Sequence, residues 1–432
     1  MNNFKYSHIA DCHIGGWKDD KMKNMSLNCF KKAIEISIEN NVNFILLAGD
    51  LFNSSIPSVD NLKEVVKILR LCLYRNIPVY TIAGSHDFSP SGKTIIEVLD
   101  KAGLLINVSR GNIVNDKLEL DFTVDKLTNV KITGIVGKRG GLEKNIFNNL
   151  NREKLEIENN YKIFMFHTAI TEIKPAGLEK MDSTSISTLP KQFNYYAGGH
   201  VHYVFKKEMK INNGNSLLTY PGPTYPNNFK ELEDLKKGTF WIANVEFNNN
   251  EYKTNIELIE IPSPEVKCYN IDIDGKSVNE VNNLLFELFD ENINNKIITI
   301  RIYGQISSGK ISEINFKKLI SYLYEKGSYF VTINTNKLKS KEFVKYKIHI
   351  KDNIDLEKSI IDEHSDNINI DFLNTDNKSA LIKTLINSTS KEITLRVNDK
   401  IFSSFENEFN YTIIPEIFFG KHGSIIDVPS MA

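Results

Sequence analysis

The chain has 432 residues, 41% of them hydrophobic and 25% charged, the balance of a globular protein too long for a single core. Its 53 basic and 54 acidic side chains leave a net charge of −1, so global electrostatics do not mark a polyanion binder. Affinity for such a ligand has to come from local basic patches or from metals. Cys12, Cys29, Cys72 and Cys268 form no CxxC pair, which excludes a disulfide framework and a thiolate zinc site. No apolar run approaches the roughly 20 residues that cross a bilayer. The expectation is a soluble, cytoplasmic protein without membrane association, whose first ten residues read as a strand and not a signal peptide.

From residue 1 to about 104 the pattern alternates strand and helix. Leu27, Phe30, Ile34 and Ile38 predict a helix over 23–39. The apolar run 44–48 follows as a strand. Leu62, Val65, Val66, Leu69 and Leu73 predict a helix over 59–74, with Asp60 helping to cap it. A third helix over 94–102 ends at Gly103. Such alternation points to a layered α/β fold with ligands at the carboxyl ends of the strands. Residues 105–136 turn to short strands, 145–160 read as one polar helix, and 161–166 and 193–198 as strands. Residues 217–220 and 239–247 predict a returning hairpin-type sheet. Together, residues 1–262 predict two sheets packed face to face and flanked by helices.

Pro262 and Pro264 mark a boundary. Strands at 267–273, 297–303 and 329–334, with helices at 278–289 and 316–326, predict a small α/β domain over 263–349. Residues 350–376, rich in Asp, Asn and Ser, read as a linker. A helix at 381–386 and an aromatic tail with Phe405, Phe418 and Phe419 complete a segment 350–432 of the kind that folds against a partner.

Chemistry-bearing residues follow the apolar runs of the first half. They are Asp11-Cys12-His13, Gly49-Asp50, Gly84-Ser85-His86-Asp87, His167 and Gly199-His200-Val201-His202. Carboxylates and imidazoles at the ends of consecutive buried strands converge on one sheet edge, a cage for two divalent metals. Asp50, behind Gly49, is the best bridging ligand. The i, i+2 spacing of Asp11 and His13 along an extended strand end suits both to one metal, and His200 and His202 share that logic. For any single histidine a satisfied core or loop residue is the better reading, and His8, His349, His364 and His422 are left with it. Five in sequence would require that explanation five times over. Cys12, between two ligands, should pack in the core. A donor set of carboxylate and imidazole without thiolate favours manganese, iron or zinc over magnesium alone.

The ordered pattern Asp-x-His, Gly-Asp, Gly-Ser-His-Asp, His and Gly-His-x-His resembles the calcineurin-like metallophosphoesterases. Residues 1 to about 340 are more narrowly similar to the DNA double-strand-break repair nucleases of the SbcD/Mre type. The stretches 8–15, 48–52 and 193–202 and the turn Tyr220-Pro221-Gly222-Pro223 support this. The resemblance implies a two-sheet metallophosphoesterase sandwich flanked by helices, with a small capping domain that binds DNA. It implies two Mn2+ per subunit, one held by Asp11, His13, Asp50 and His202, the other by Asp50, Ser85, His167 and His200. His86 would be general acid or transition-state stabiliser, with Asp87 orienting its imidazole. The implied activity is 3′-to-5′ exonuclease and single-strand endonuclease cleavage. The implied partners are DNA, a second copy paired through helices 59–74 and 94–102, and an SMC-like ATPase docking on the C-terminal segment.

Two positions depart from the family pattern. Ser85 stands where the family has Asn, and a hydroxyl is shorter and a poorer ligand than an amide oxygen. Asn53 stands where a second histidine often occurs, and an amide can position phosphate or DNA but cannot act as an acid. Lys138 and Arg139, before Gly140-Gly141, offer a loop for phosphate contact, although most exposed lysines here read as ordinary solvated ones. Two other readings stay open: a phosphatase or cyclic-nucleotide phosphodiesterase on the same fold, and a weakly active scaffold that tethers DNA.

Overall fold

The computed structural model describes residues 3–340 apart from 90–91, 139–142, 176, 212–213 and 290–291. Arg139, the linker, the 381–386 helix and the C-terminal docking segment lie outside the described residues. The chain divides into units Met1–Phe343 and Val344–Ala432, and everything below belongs to the first.

One sheet carries the parallel strands Phe4–Ile9, Phe44–Ala48, Val79–Ile82 and Ile106–Asn107. The strand Thr239–Asn248 runs antiparallel to Phe4–Ile9 and forms a hairpin with Glu251–Glu260. A second sheet is built on Lys131–Ile135, Lys162–His167, Tyr195–Gly199 and Gly214–Pro221, all parallel, with Val204–Ile211 antiparallel at its edge. The two meet in one hydrogen-bonded pair, Gly214 with Tyr252. The hairpin expected between 217–220 and 239–247 is therefore replaced by two others, 204–211 with 214–221 and 239–248 with 251–260.

Side-chain period 2 explains why both sheets are apolar throughout. In Phe44–Ala48, Phe44, Leu46 and Ala48 face the opposite sheet, whereas Ile45 and Leu47 face the helices. In Lys162–His167, Ile163 and Met165 face inward and Phe164 and Phe166 outward. The layer between the sheets is aromatic: Tyr6 stacks on Phe44 at 5.0 Å, and the Tyr6 hydroxyl meets that of Tyr161 at 2.9 Å. Truncating Phe44 to Ala would cost about 3–5 kcal/mol through lost burial and the cavity left behind.

The helices Asp20–Glu39 and Val59–Tyr74 cover the first sheet with Phe30, Ile34, Val65 and Leu69, all fully buried. Ser58, not Asp60, caps the second helix by accepting the N–H of Asn61; Asp60 lies in its first turn. The polar helix expected over 145–160 is two short helices, Glu143–Asn148 and Arg152–Ile157. Leu150 breaks it: the residue is buried and bridges Leu118, whose backbone pairs with Asn149 and Asn151.

Residues beyond Pro264 form a parallel sheet of Val266–Asp272, Ile297–Ile306 and Phe330–Ser340 with its own core. The helices Val278–Glu287 and Phe316–Glu325 pack on it. Ser277 and Glu280 form a capping box at the first of these. The sheet touches the preceding part of the chain through Phe330, edge-on to Trp17, and through Arg301, paired with Glu233 in the helix Phe229–Asp234.

Candidate metal centre

Parallel strands deliver their following residues to one edge, and that geometry assembles the site. Asp11 and His13 follow Phe4–Ile9, Asp50 follows Phe44–Ala48, and Ser85, His86 and Asp87 follow Val79–Ile82. His167 is the last residue of its strand, and His200 and His202 follow Tyr195–Gly199. Three groups of ligand atoms, each within 4.8 Å of one another, result: Asp11 with His13 and His202, His13 with Asp50 and His86, and Asp50 with His167 and His200. Asp50 and His13 are common to two groups each.

The strand-end geometry expected for the i, i+2 pairs does not hold. Asp11, His13, Asp50, His200 and His202 have φ of 52°, 41°, 52°, 93° and 49°. Left-handed conformations at residues with a Cβ cost of order 1–3 kcal/mol each and concentrate at functional sites. The chain therefore turns sharply at each of these five residues, whereas His167 stays in its strand. His200 goes to Asp50 and His167 while His202 goes to Asp11 and His13, so the two do not share a group. Close approach also requires glycine. A Cβ on Gly49, itself at φ 84°, would lie 2.3 Å from His167 Nδ1, and one on Gly84 would lie 2.3 Å from the Asp50 backbone nitrogen.

Hydrogen bonds fix the ring orientations. His167 Nδ1 lies 2.8 Å from the Ala48 carbonyl, His86 Nδ1 2.8 Å from the Asn53 carbonyl, and His202 Nδ1 3.0 Å from Glu231 Oε1. Each of these oxygens can only accept, so Nδ1 carries the proton and Nε2 is left to face the centre. His13 Nε2 and His202 Nε2 are 2.8 Å apart, and His167 Nε2 is 3.1 Å from Asp50 Oδ2. Imidazole nitrogens and carboxylate oxygens converging in this way, with their other edges anchored, are a donor set suited to divalent metals.

Asp87 does not orient the His86 imidazole. Its buried carboxylate accepts the backbone N–H groups of Gly84 at 2.8 Å, Asp50 at 3.0 Å and Phe52 at 3.4 Å, tying two ligand loops together. The Asn53 carbonyl supports His86 instead. The Asn53 side-chain oxygen accepts from Asn227 Nδ2 at 3.1 Å, so that amide is engaged within the protein. Ser85 Oγ lies 3.3 Å from Asp50 Oδ2. Lys138 is exposed, and Cys12 is buried in the core.

The electrostatics fit a cation. Burial opposes charge on Asp50, but His167 and His13 hold its carboxyl well below the usual carboxylate range. Burial likewise opposes charge on His167, yet Asp50 and Asp11 push it up to about 10. Burial, reinforced by His167, lowers His200 to about 3, and burial reinforced by His202 lowers His13. A metal held here would take the place of the proton that Asp50 and Asp11 now favour on the His167 ring.

Sequence reasoning missed Glu231 and Asn227. Glu231 accepts from His202, from Asn228 Nδ2 at 2.6 Å and from the Asn227 N–H at 2.8 Å. Asn228 caps the helix Phe229–Asp234 by accepting the Glu231 N–H. Asn followed three residues later by Glu is a helix-start signature visible in the sequence.

Residues 4–204 match the calcineurin-like phosphoesterase family. The chain is 28% identical over 284 residues to the DNA double-strand break repair protein Mre11 of Methanococcus maripaludis, spanning 64% of this chain and 70% of that one. It is 29% identical over 405 residues to the protein of the same name from Methanocaldococcus jannaschii, spanning 89% and 95%. To that of Archaeoglobus fulgidus it is 23% identical over 364 residues, spanning 74% and 76%. Residues 4–204 therefore carry a calcineurin-like phosphoesterase domain, the chain is similar in sequence to these Mre11 proteins, and the family match supports a metal-dependent phosphodiesterase.

Proposed function

We propose that the chain is a manganese-dependent DNA nuclease acting at double-strand breaks, with 3′-to-5′ exonuclease and single-strand endonuclease activity. The convergence of Asp11, His13, His167, His200 and His202 around Asp50, with His86 beside them, carries this reading. Asp11, His13, Asp50 and His202 would hold one metal, and Asp50, Ser85, His167 and His200 the other. Bound metals would neutralise charge on the phosphate and make water nucleophilic near neutral pH. His86, its Nδ1–H held by the Asn53 carbonyl, presents Nε2 as the group that donates a proton to the leaving oxygen. Asp87 keeps the loops of Asp50 and Ser85 in register.

Around this centre we place the other partners. Lys138 and Arg139 would contact DNA phosphates, and the segment 263–349 would cap the DNA. Ile56, Val59, Leu73, Tyr74 and Val98 are exposed apolar residues on or beside the helices Val59–Tyr74 and Ile95–Lys101, through which a second copy would pair. Residues 350–432 would dock an SMC-like ATPase. One observation favours a second reading, a weakly active DNA tether: Ser85 offers a hydroxyl that is already within reach of Asp50, a poor second-metal ligand.

Incubating the full chain with Mn2+ and labelled duplex DNA, beside a His86→Ala variant and small phosphoesters, separates these readings. Duplex cleavage reduced about 10²–10⁴-fold in the variant supports the nuclease. Turnover of small esters alone would favour a phosphatase. DNA binding without any turnover would favour the tether.

A further inference from the structure

The short helix Phe229–Asp234 lies between the metal centre and the three-stranded sheet, and it is gripped on both sides. On one side Glu231 receives the Nδ1–H of His202 at 3.0 Å. On the other, Arg301 in the strand Ile297–Ile306 forms a two-pronged pair with Glu233, Nε to Oε1 at 3.1 Å and Nη2 to Oε2. The Arg301 guanidinium also lies over the Phe229 ring, 5.1 Å from its centre. Both charged side chains of this clamp are largely shielded, at 24% and 15% exposure, so the pair is stiffer than a solvated surface bridge.

The loop leading into the helix reaches the other half of the site. Asn227 donates its N–H to Glu231 at 2.8 Å and its amide to Asn53 at 3.1 Å, and the Asn53 carbonyl holds His86. Two inward-facing imidazoles, His202 and His86, thus take their orientation from one segment, 227–231. The helix that follows this segment is tied to the three-stranded sheet by Arg301, through Glu233.

Resting on the reading of this site as a metal centre, we infer that Glu231 is a positioning residue for His202, and that the Arg301–Glu233 clamp couples the three-stranded sheet to metal binding at Asp11, His13 and His202. A rigid helix carries the coupling. With Arg301 seated, Glu231 holds the His202 ring with Nε2 toward the ligand group. When the sheet shifts and releases Glu233, the helix and its carboxylate lose that constraint. A substrate contacting the sheet would thereby alter metal affinity, and metal binding would reciprocally favour the seated sheet. Carboxylates that orient metal-binding histidines in this way commonly change metal affinity 10–100-fold.

The test uses the full chain, labelled with 15N at its histidine rings, with the His202 signal identified by its loss in His202→Asn. Ring nitrogen spectra are recorded without metal, and Mn2+ binding is titrated calorimetrically, for wild type, Glu231→Gln, Arg301→Gln and Glu233→Gln. The wild type should show His202 protonated at Nδ1. Glu231→Gln should shift that signal and weaken the corresponding Mn2+ site by about ten-fold or more. Arg301→Gln and Glu233→Gln should each move the same signal and weaken the same site by about three-fold, and the double variant should add little to either, as for two partners of one interaction. The folded fraction of each variant is read from the same spectra, and the two clamp variants serve as checks on one another. Unchanged His202 signals and Mn2+ titrations in both clamp variants would overturn the coupling. An unmoved His202 signal in Glu231→Gln would overturn the positioning role. Shifts of the His202 signal in a wild type and variants that bind no Mn2+ would uphold the positioning relay while defeating the metal reading itself.

Discussion

The carboxylate of Asp87 accepts the backbone N–H of Asp50 at 3.0 Å across 37 positions of sequence. The same buried side chain takes the N–H groups of Gly84 and Phe52, so one residue sets the spacing between the Asp50 loop and the Ser85–His86 loop. Asp87→Asn turns an N–H₂ group toward those donors or leaves one of them unpaired. We expect a loss of about 2–3 kcal/mol of stability in urea unfolding. Weaker Mn2+ binding in calorimetry should accompany it, since Asp50 loses its support. Unchanged unfolding and unchanged metal binding would remove Asp87 from the account.

Ser85 tests the second ligand group. Its hydroxyl lies 3.3 Å from Asp50 Oδ2 and is shorter than the amide it stands in for. Ser85→Asn should raise hydrolysis at limiting Mn2+ and shift the metal titration to lower concentration, with little change at saturating metal. A superimposable titration would place the second metal without help from this position.

Much of this arrangement is readable from sequence because buried parallel strands are apolar on both faces, and a carboxylate or imidazole just after such a run is conspicuous. The two-sheet sandwich and the strand ends bearing Asp11, Asp50, His86 and His167 follow from that signal. The backbone turns do not. Nothing in Asp11-Cys12-His13 announces φ above zero at both outer residues, so an extended i, i+2 geometry is the natural and incorrect inference. Helix breaks escape as well when a single buried leucine, here Leu150, pairs with a distant strand. Glu231, Asn227 and Arg301 lie in polar or strand contexts whose significance depends on tertiary neighbours. Asn53 could be placed near the site but not assigned to it by its backbone carbonyl, since no side-chain pattern reports main-chain contacts.

His8 offers a pH test away from the ligands. Its ring is fully buried, with Nδ1 3.1 Å from the Tyr195 hydroxyl and 3.2 Å from Thr219, and burial pushes it down to about 3. The fold therefore holds the neutral ring, and as pH falls the unfolded chain takes the proton first. Stability from this residue is fully present above about pH 6.5 and is lost as pH falls toward 3. Between pH 6.5 and 5 the loss should be about 1.5 kcal/mol. Urea unfolding of His8→Asn should show a pH slope shallower by that amount, whatever its absolute stability; parallel slopes would contradict the assignment.

The proposed self-association is open to a charge test. Leu73 and Val98 are 52% and 58% exposed on the helices Val59–Tyr74 and Ile95–Lys101, too open for core residues. Leu73→Glu with Val98→Glu should convert a dimer to a monomer in sedimentation equilibrium while leaving hydrolysis of small phosphoesters intact. A wild type that sediments as a monomer at micromolar concentration, or a double variant that remains dimeric, would rule out this face.

In the proposed centre Asp50 would stand between two bound cations. Crystals of the full chain soaked in Mn2+, with diffraction collected at the manganese absorption edge, measure this directly. Two anomalous peaks should flank the Asp50 carboxylate, one toward Asp11, His13 and His202 and the other toward His167 and His200. A map with no peak beside Asp50 would contradict it.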